Sequence, residues 1–116
     1  MFNNPPTMSP AEIACALSRG EIVLIDVREP MEYAAERIHA ALLYPLSTFD
    51  PIELPRDEVR PVVFQCGSGK RSATAFHAAK GAGVPVKAHM AGGISAWKAA
   101  GLPTVTMDPG AIRDPG

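Results

Sequence analysis

Residues 62–76 read Val-Val-Phe-Gln-Cys-Gly-Ser-Gly-Lys-Arg-Ser-Ala-Thr-Ala-Phe. The stretch opens with a short apolar run after Pro61, and such a run is typical of a strand that is buried on both faces. Cys66 ends the predicted strand, two glycines follow it closely, and the alanine-rich segment beyond them predicts a helix. The order of strand, tight loop and helix therefore places a thiol between a buried strand and the start of a helix.

This position suits a nucleophilic cysteine. Amides in the first turn of a helix have no intrahelical acceptors and carry the positive end of the helix dipole, so they stabilise an anion. Gly67 and Gly69 allow the backbone to curl so that several N–H groups point at the sulfur, and Lys70 and Arg71 add two cations. Such surroundings lower the pKa of a thiol from about 8.5 to roughly 3.5–7.5. We therefore predict that Cys66 is largely a thiolate at neutral pH.

A buried structural cysteine is the competing interpretation of Cys66. Free cysteine is among the most buried residue types, so this reading has some force. It explains neither the two glycines nor the Lys-Arg pair beside the cysteine. We favour the nucleophile.

The segment Cys-Gly-Ser-Gly-Lys-Arg-Ser at 66–72 resembles the active-site loop of rhodanese domains, the sulfurtransferases that carry sulfur as a cysteine persulfide. Two other segments agree with this resemblance. Residues 26–33, Asp-Val-Arg-Glu-Pro-Met-Glu-Tyr, are similar to the first characteristic segment of the family. Residues 91–103, Ala-Gly-Gly-Ile-Ser-Ala-Trp-Lys-Ala-Ala-Gly-Leu-Pro, are similar to its C-terminal one. The three segments occur in the family's order and together cover nearly the whole chain.

Strands alternate with helices along the chain, which predicts an α/β fold with a parallel sheet and helices on both faces. The small α/β fold of rhodanese domains, which the resemblance implies, agrees with this prediction. We expect an N-terminal extension over residues 1–8, a rhodanese-like domain over 9–105 and a C-terminal tail over 106–116.

The resemblance also implies a two-step sulfur transfer. Cys66 would take the outer sulfur of a small anionic donor such as thiosulfate and become a persulfide. A thiol, cyanide or a protein thiol would then accept the sulfur. Loop amides would hold the sulfur, and cations would attract the donor. The predicted substrate-binding residues are the rest of the loop and one arginine from an earlier segment: Gly67, Ser68, Gly69, Lys70, Arg71, Ser72 and Arg28.

Arg28 follows the apolar run Ile22–Ile25, which predicts a second strand that is covered on both faces. Functional groups of α/β proteins commonly lie at such strand ends. Arg28 would steer an anion or brace the loop, with Asp26 orienting it. A structural ion pair is the alternative, and for Asp26 we favour that alternative.

One segment departs from the family. Rhodanese relatives usually have Gly-His-Ile-Pro-Gly-Ala where this chain has Glu36-Arg37-Ile38-His39-Ala40-Ala41. Both glycines, the histidine and the proline are replaced, so the turn must form without its usual flexible and rigid residues. Arg37 and His39 are only weak candidates for substrate contacts.

Two other residue types invite a chemical role. Cys15 lies on the polar side of a helix predicted to start at Ser9, and it could resolve an oxidised Cys66. We favour a bystander on a helix surface. The histidines show no ligand spacing with each other or with Cys66, so we expect neither a metal nor another cofactor.

Composition narrows the remaining function classes. The chain has 116 residues and a net charge of −1, which offers no basic field for nucleic acid and no polybasic patch for a membrane. We see no signal peptide and no apolar run long enough to span a membrane. Two cysteines without an export signal favour free thiols in the cytoplasm.

Three rival functions stay open. Cysteine-dependent phosphatases and arsenate reductases also use a cysteine, an anion-binding loop and an arginine, but with five residues between the two, whereas this chain has the four residues Gly67, Ser68, Gly69 and Lys70. A regulatory rhodanese-like module that docks a protein is the non-enzymatic rival. A persulfide relay to a dedicated protein acceptor would use the same loop as a thiosulfate enzyme.

Overall fold

The protein, seen here in a computed structural model, is described over residues 4–107, where strands and helices alternate. In chain order the elements are β1 (Thr7–Met8), α1 (Pro10–Ser18), β2 (Val23–Asp26), α2 (Pro30–Ala35), β3 (Glu36–Arg37), β4 (Leu42–Leu43), β5 (Val62–Gln65), α3 (Lys70–Gly81), β6 (Ala88–Met90), α4 (Gly93–Ala99) and β7 (Val105–Thr106). Two 3-10 helices, Leu46–Thr48 and Pro51–Glu53, lie in the connection between β4 and β5.

A parallel sheet of five strands forms the centre of the fold, in the spatial order β1-β6-β5-β2-β4. β5 is its middle strand, and it pairs with β2 along its whole length, from Val62 opposite Val23 to Gln65 opposite Asp26. Every residue of both strands is buried, as their apolar runs predict. The α/β fold with a parallel sheet is thus confirmed.

Helices cover both faces of the sheet. Because side chains alternate along a strand, Val62 and Phe64 of β5 pack on one face and Val63 on the other. The first face is covered by α3 and the second by α1 and α4. The covering residues are Ala75, Phe76 and Ala79 on the first face and Ile13, Ala16, Ile94 and Trp97 on the second. Trp97 is a core residue, as the sequence predicts, and its Nε1 donates to the carbonyl of Pro103 at 2.8 Å.

Residues near both ends of the described chain form strands. Thr7 and Met8 fall within the extension predicted over residues 1–8, yet they form the edge strand β1 beside β6. Thr106, the first residue of the predicted tail, pairs with Glu36 in a separate two-stranded antiparallel sheet. Residues 1–3 of the extension and 108–116 of the tail lie outside the described residues. Within 4–107, no helix has both the length and the apolar character needed to cross a membrane.

The segment that departs from the family pattern closes a tight turn. The amide of Ala41 donates to the carbonyl of Ile38 at 3.1 Å, and Ala40 takes φ of 73°. A positive φ at the third residue is the requirement of a type II β-turn, where glycine is favoured. Ala40 is the only residue other than glycine with positive φ in the part of the chain that the structure describes. The turn therefore forms at the cost of local backbone strain.

Replacing Ala40 with glycine should stabilise the protein by about 0.5–1 kcal/mol, because it relieves the left-handed strain of a residue that carries a Cβ. The measurement is the free energy of unfolding in urea. Ala78→Gly, on the exposed side of α3, is the matched control and should destabilise by about 0.5–1 kcal/mol. If both variants lose stability, Ala40 is not strained.

Candidate functional site

Cys66 directly follows β5, and its sulfur lies against the start of α3. The amides of Gly69 and Ser72 donate to Sγ at 3.1 and 3.3 Å. The residue is only 1% exposed, so these hydrogen bonds replace contacts with water. We call residues 66–72 the cysteine loop. It brings together the thiol and backbone donors, the arrangement that an anionic sulfur requires.

The two glycines of the cysteine loop serve different ends. Gly69 adopts φ of 109°, which turns its amide toward the sulfur. Gly67 does not have a positive φ, but a Cβ there would lie 3.1 Å from Nη2 of Arg71. The sequence suggested backbone freedom for both residues. In the structure Gly69 uses that freedom, whereas Gly67 leaves room for a guanidinium group.

The surroundings of Cys66 shift its acidity in opposite directions. Burial raises the pKa of the thiol, while hydrogen bonds from the Ser72 hydroxyl and from the amides of Ser72, Gly69 and Ser68 lower it. The hydrogen bonds outweigh burial, and the net effect is a pKa below that of an ordinary thiol. The direction agrees with the expectation of a thiolate.

Arg71 reaches back across the fold to α2. Its Nη1 and Nη2 lie 2.6 and 3.0 Å from the two carboxylate oxygens of Glu32. This two-pronged pair holds the guanidinium over the cysteine loop and lowers the pKa of Glu32 to about 2. Lys70, by contrast, is exposed at the start of α3 and belongs to none of the four ion pairs of the described residues. The loop thus presents one paired and one unpaired cation.

Glu32→Gln should lower the free energy of unfolding by at most about 1 kcal/mol at neutral pH, since both partners of the pair are more than a third exposed. The pKa of Glu32 falls from 4.5 to about 2 on folding. The stabilisation is therefore present above pH 4.5 and is lost as the pH falls toward 2.

In the wild-type protein a carboxylate oxygen of Glu32 accepts a hydrogen bond from the amide of Glu29 at 3.0 Å. The glutamine side chain can keep this hydrogen bond, so the substitution tests the loss of the negative charge. Urea unfolding of both proteins between pH 7 and about 2 checks this prediction. A difference that stays constant over that range would contradict it.

Arg28 lies outside the cysteine loop and forms a buried ion pair with Asp26. Its side chain is buried, with Nη2 2.9 Å from Oδ2 of Asp26 and 2.6 Å from the carbonyl oxygen of Glu36. Asp26 also accepts from the backbone amide of Arg28. This is the structural ion pair that we favoured for Asp26, and it ties the end of β2 to β3. The substrate contact predicted for Arg28 stays a prediction.

Helix α4 also contacts the cysteine loop, through hydrogen bonds to its backbone carbonyls. The amides of Ile94 and Ser95 donate to the carbonyls of Cys66 and Gly67 at 2.8 and 3.2 Å. Gly93 makes this approach feasible, because a Cβ there would lie 2.3 Å from the carbonyl oxygen of Cys66. Gly93 at the start of α4 therefore lets this helix pack against the loop that carries Cys66.

Ser72 links Cys66 to a residue that the sequence did not single out. Its hydroxyl lies 3.5 Å from Sγ of Cys66 and 2.7 Å from Nδ1 of His89. His89 is buried in β6, beside β5. The sequence held one usable signal: β6 runs parallel to β5, so the carboxyl ends of both strands meet at one edge of the sheet.

The other candidate groups lie apart from these contacts. Cys15 is exposed on α1, and both cysteines are free thiols. Arg37 packs on the ring of Tyr33, with its guanidinium carbon 5.0 Å from the ring centroid. His39 is exposed on the turn. Within the described residues, no cluster of three His, Cys, Asp or Glu side chains could hold a metal ion.

Sequence comparison identifies the family and several relatives of this chain. The family model for the Rhodanese-like domain matches residues 9–100. A sulfurtransferase of Allochromatium vinosum is 40% identical over 90 residues, which cover 73% of this chain and 79% of that protein. An uncharacterized protein of Synechocystis is 40% identical over 99 residues, 85% of this chain but only 55% of its own length. This chain therefore spans about half of that relative.

A solved structure agrees with these sequence relatives. The rhodanese-related protein of Thermoplasma volcanium superposes with a TM-score of 0.74 at 26% identity, and the match covers 86% of this chain and 97% of that one. The match agrees with the family model in assigning a rhodanese-like fold to this chain.

Proposed function

The chain belongs to the rhodanese-like domain family, and from this premise we propose that it transfers sulfane sulfur through a persulfide on Cys66. The donor is thiosulfate or a similar small anion, and the acceptor is cyanide, a small thiol or a protein thiol. The observation that carries the proposal is the buried sulfur of Cys66, which accepts amide hydrogen bonds from Gly69 and Ser72 at 3.1 and 3.3 Å.

The first half of the reaction forms one sulfur–sulfur bond and breaks another. The Cys66 thiolate attacks the outer sulfur of thiosulfate, the bond between the two donor sulfurs breaks, and sulfite leaves with its electron pair. In the second half, the acceptor attacks the outer sulfur of the persulfide, and Cys66 leaves as a thiolate. Preorganised amide donors lower the energy of both steps, because the anion on Cys66 is stabilised without reorganisation of water.

The charges around the loop support an anionic donor only modestly. Glu32 neutralises Arg71, and Asp26 neutralises Arg28, so Lys70 is the unpaired cation among the predicted site residues of the described chain. An exposed ammonium attracts an anion without fixed geometry. Thiosulfate and persulfide donors therefore both fit the proposal.

A phosphatase or arsenate reductase is the weaker candidate. The four residues between Cys66 and Arg71 make a loop shorter than those enzymes use, and its amides converge on one sulfur atom rather than on a larger oxyanion. The free thiols also lead us to propose a reducing, cytoplasmic setting.

The direct test is to incubate the protein with thiosulfate and to weigh it intact. The wild-type protein and Cys15→Ser should each gain the mass of one sulfur atom, and added cyanide should remove it as thiocyanate. A protein that takes up no sulfur from thiosulfate but does so from a small persulfide would be a persulfide relay. Uptake from neither donor would leave a docking module, and hydrolysis of an aryl phosphate without sulfur uptake would favour the phosphatase.

A further inference from the structure

The hydroxyl of Ser72 stands between a thiol and an imidazole inside the protein. Its oxygen lies 3.5 Å from Sγ of Cys66 and 2.7 Å from Nδ1 of His89. All three residues are buried. The sulfur-transfer reaction as described so far uses Cys66 and the loop amides but gives no role to His89.

The number of hydrogens on Ser72 restricts how this chain can be arranged. A hydroxyl has one hydrogen to donate. Nδ1 of His89, at 2.7 Å from the Ser72 oxygen, is the nearest acceptor, whereas the carbonyl of Gly69 lies 3.2 Å away and already accepts from the amide of Ala73. The hydrogen therefore serves either His89 or Cys66.

Each choice corresponds to one ionisation state of Cys66. With a neutral thiol, Ser72 donates to Nδ1 of His89, and its oxygen is left to accept the S–H of Cys66. With a thiolate, the Ser72 hydroxyl must donate to the sulfur, and its oxygen then faces Nδ1 across 2.7 Å. That short contact is favourable only if Nδ1 now carries a hydrogen.

We propose that Ser72 and His89 form a proton relay for Cys66. When Cys66 ionises, its proton passes to Oγ of Ser72, and the Ser72 proton passes to Nδ1 of His89. The bonds broken are S–H and O–H, and the bonds formed are O–H and N–H. No electrons leave the system, and the product is a thiolate–imidazolium pair bridged by the serine. The relay deepens the proposed function, which needs the thiolate as the attacking group.

His89 can accept a hydrogen bond from Ser72, because burial and the charge of His77 on α3 lower its pKa and so favour the neutral ring. The same two effects disfavour the imidazolium, so in the relay the charged ring depends on the thiolate of Cys66 for its stabilisation. α3 also carries the exposed Lys70 and the paired Arg71. The edge strand β1, which pairs with β6, contributes Thr7 and Met8 and no ionisable side chain. His89 is a positioning residue, since it acts on the sulfur through Ser72.

The test follows the alkylation of Cys66 by iodoacetamide against pH, in a Cys15→Ser background so that only one thiol reacts. His89→Asn keeps a hydrogen-bonding group near Ser72 but cannot take up a proton. It should raise the apparent pKa of Cys66 by about one unit, which slows alkylation roughly tenfold at pH values below that pKa. His39→Asn, at an exposed histidine, is the matched control and should leave the profile unchanged.

Two further measurements separate a relay from a structural hydrogen bond. Ser72→Ala should raise the pKa of Cys66 at least as far as His89→Asn, and adding His89→Asn to it should change nothing more, because His89 acts through Ser72. Imidazole NMR should show that Cys66→Ser lowers the pKa of His89 by the same amount that His89→Asn raises that of Cys66, as linkage requires.

An unchanged alkylation profile in His89→Asn would overturn the relay, as would losses that add in the double variant. Neither readout needs sulfur transfer. Failure of the relay is therefore distinguishable from failure of the proposed function.

Discussion

Cys66→Ser should reduce sulfur transfer from thiosulfate to cyanide by roughly a thousandfold or more, because removal of a covalent nucleophile leaves only binding and electrostatic effects. A serine hydroxyl ionises far above neutral pH and cannot form a persulfide. The amides of Gly69 and Ser72 can still donate to its oxygen, so the cysteine loop should keep its shape. Thiocyanate formation measures the rate, and circular dichroism checks that the variant folds.

Cys15→Ser is the matched control for this prediction. It makes the same chemical change at an exposed thiol on α1, and it should keep the wild-type rate. A Cys66→Ser protein with substantial activity would refute the persulfide on Cys66. Loss of activity in Cys15→Ser alone would instead give the surface thiol a part in the reaction.

The strands that carry the site could be predicted because their sequences are locally decisive. β2 and β5 are apolar runs that end at polar or reactive residues, and this is the pattern of strands buried on both faces. The cysteine loop followed from the same stretch. Its glycines, its thiol and the start of α3 are neighbours in the chain, so their proximity in space needs no long-range information.

The short strands could not be predicted in the same way. β1, β3 and β7 have two residues each, too few for any period in hydrophobicity to appear. They are strands because a partner lies beside them, as Thr7 lies beside His89. Two residues assigned to the N-terminal extension thereby became the edge of the sheet.

The partners of the loop are also long-range. Glu32 precedes Arg71 by 39 residues, and His89 follows Ser72 by 17. With a single sequence, charge alone does not reveal which carboxylate meets which arginine, and Arg28 shows the consequence. Its position at a strand end predicted a substrate contact as reasonably as a brace, and the neighbouring carbonyl of Glu36 became visible only in the fold.

The second large effect is expected at Gly93, a residue outside the cysteine loop that packs against its backbone. A Cβ on Gly93 would lie 2.3 Å from the carbonyl oxygen of Cys66 and 2.6 Å from the carbonyl carbon of Gly67. Both are backbone atoms, and they cannot move away without weakening the hydrogen bonds that Ile94 and Ser95 donate to those carbonyls. Gly93 also has φ of 60°, which adds the strain of a left-handed residue.

Gly93→Ala should therefore destabilise the protein by roughly 2–5 kcal/mol, the sum of overpacking and backbone strain. That is a large fraction of the total stability of a domain, which is about 5–15 kcal/mol. In the folded fraction of this variant, Cys66 should also react more slowly with iodoacetamide at neutral pH, because a displaced cysteine loop loses amide donors to the sulfur. Urea unfolding and the alkylation rate measure the two effects.

Gly101→Ala separates strain from overpacking. Gly101 follows α4 with φ of 79°, but nothing lies within 4 Å of the position that its Cβ would take. Alanine there carries the backbone strain alone and should cost about 1–2 kcal/mol with no change in Cys66 reactivity. Equal losses of stability in the two variants would mean that α4 and the cysteine loop can move apart to accommodate the added Cβ at little energetic cost. A larger loss of stability in Gly93→Ala, together with slower alkylation of Cys66, would show that the first turn of α4 holds the cysteine loop in place.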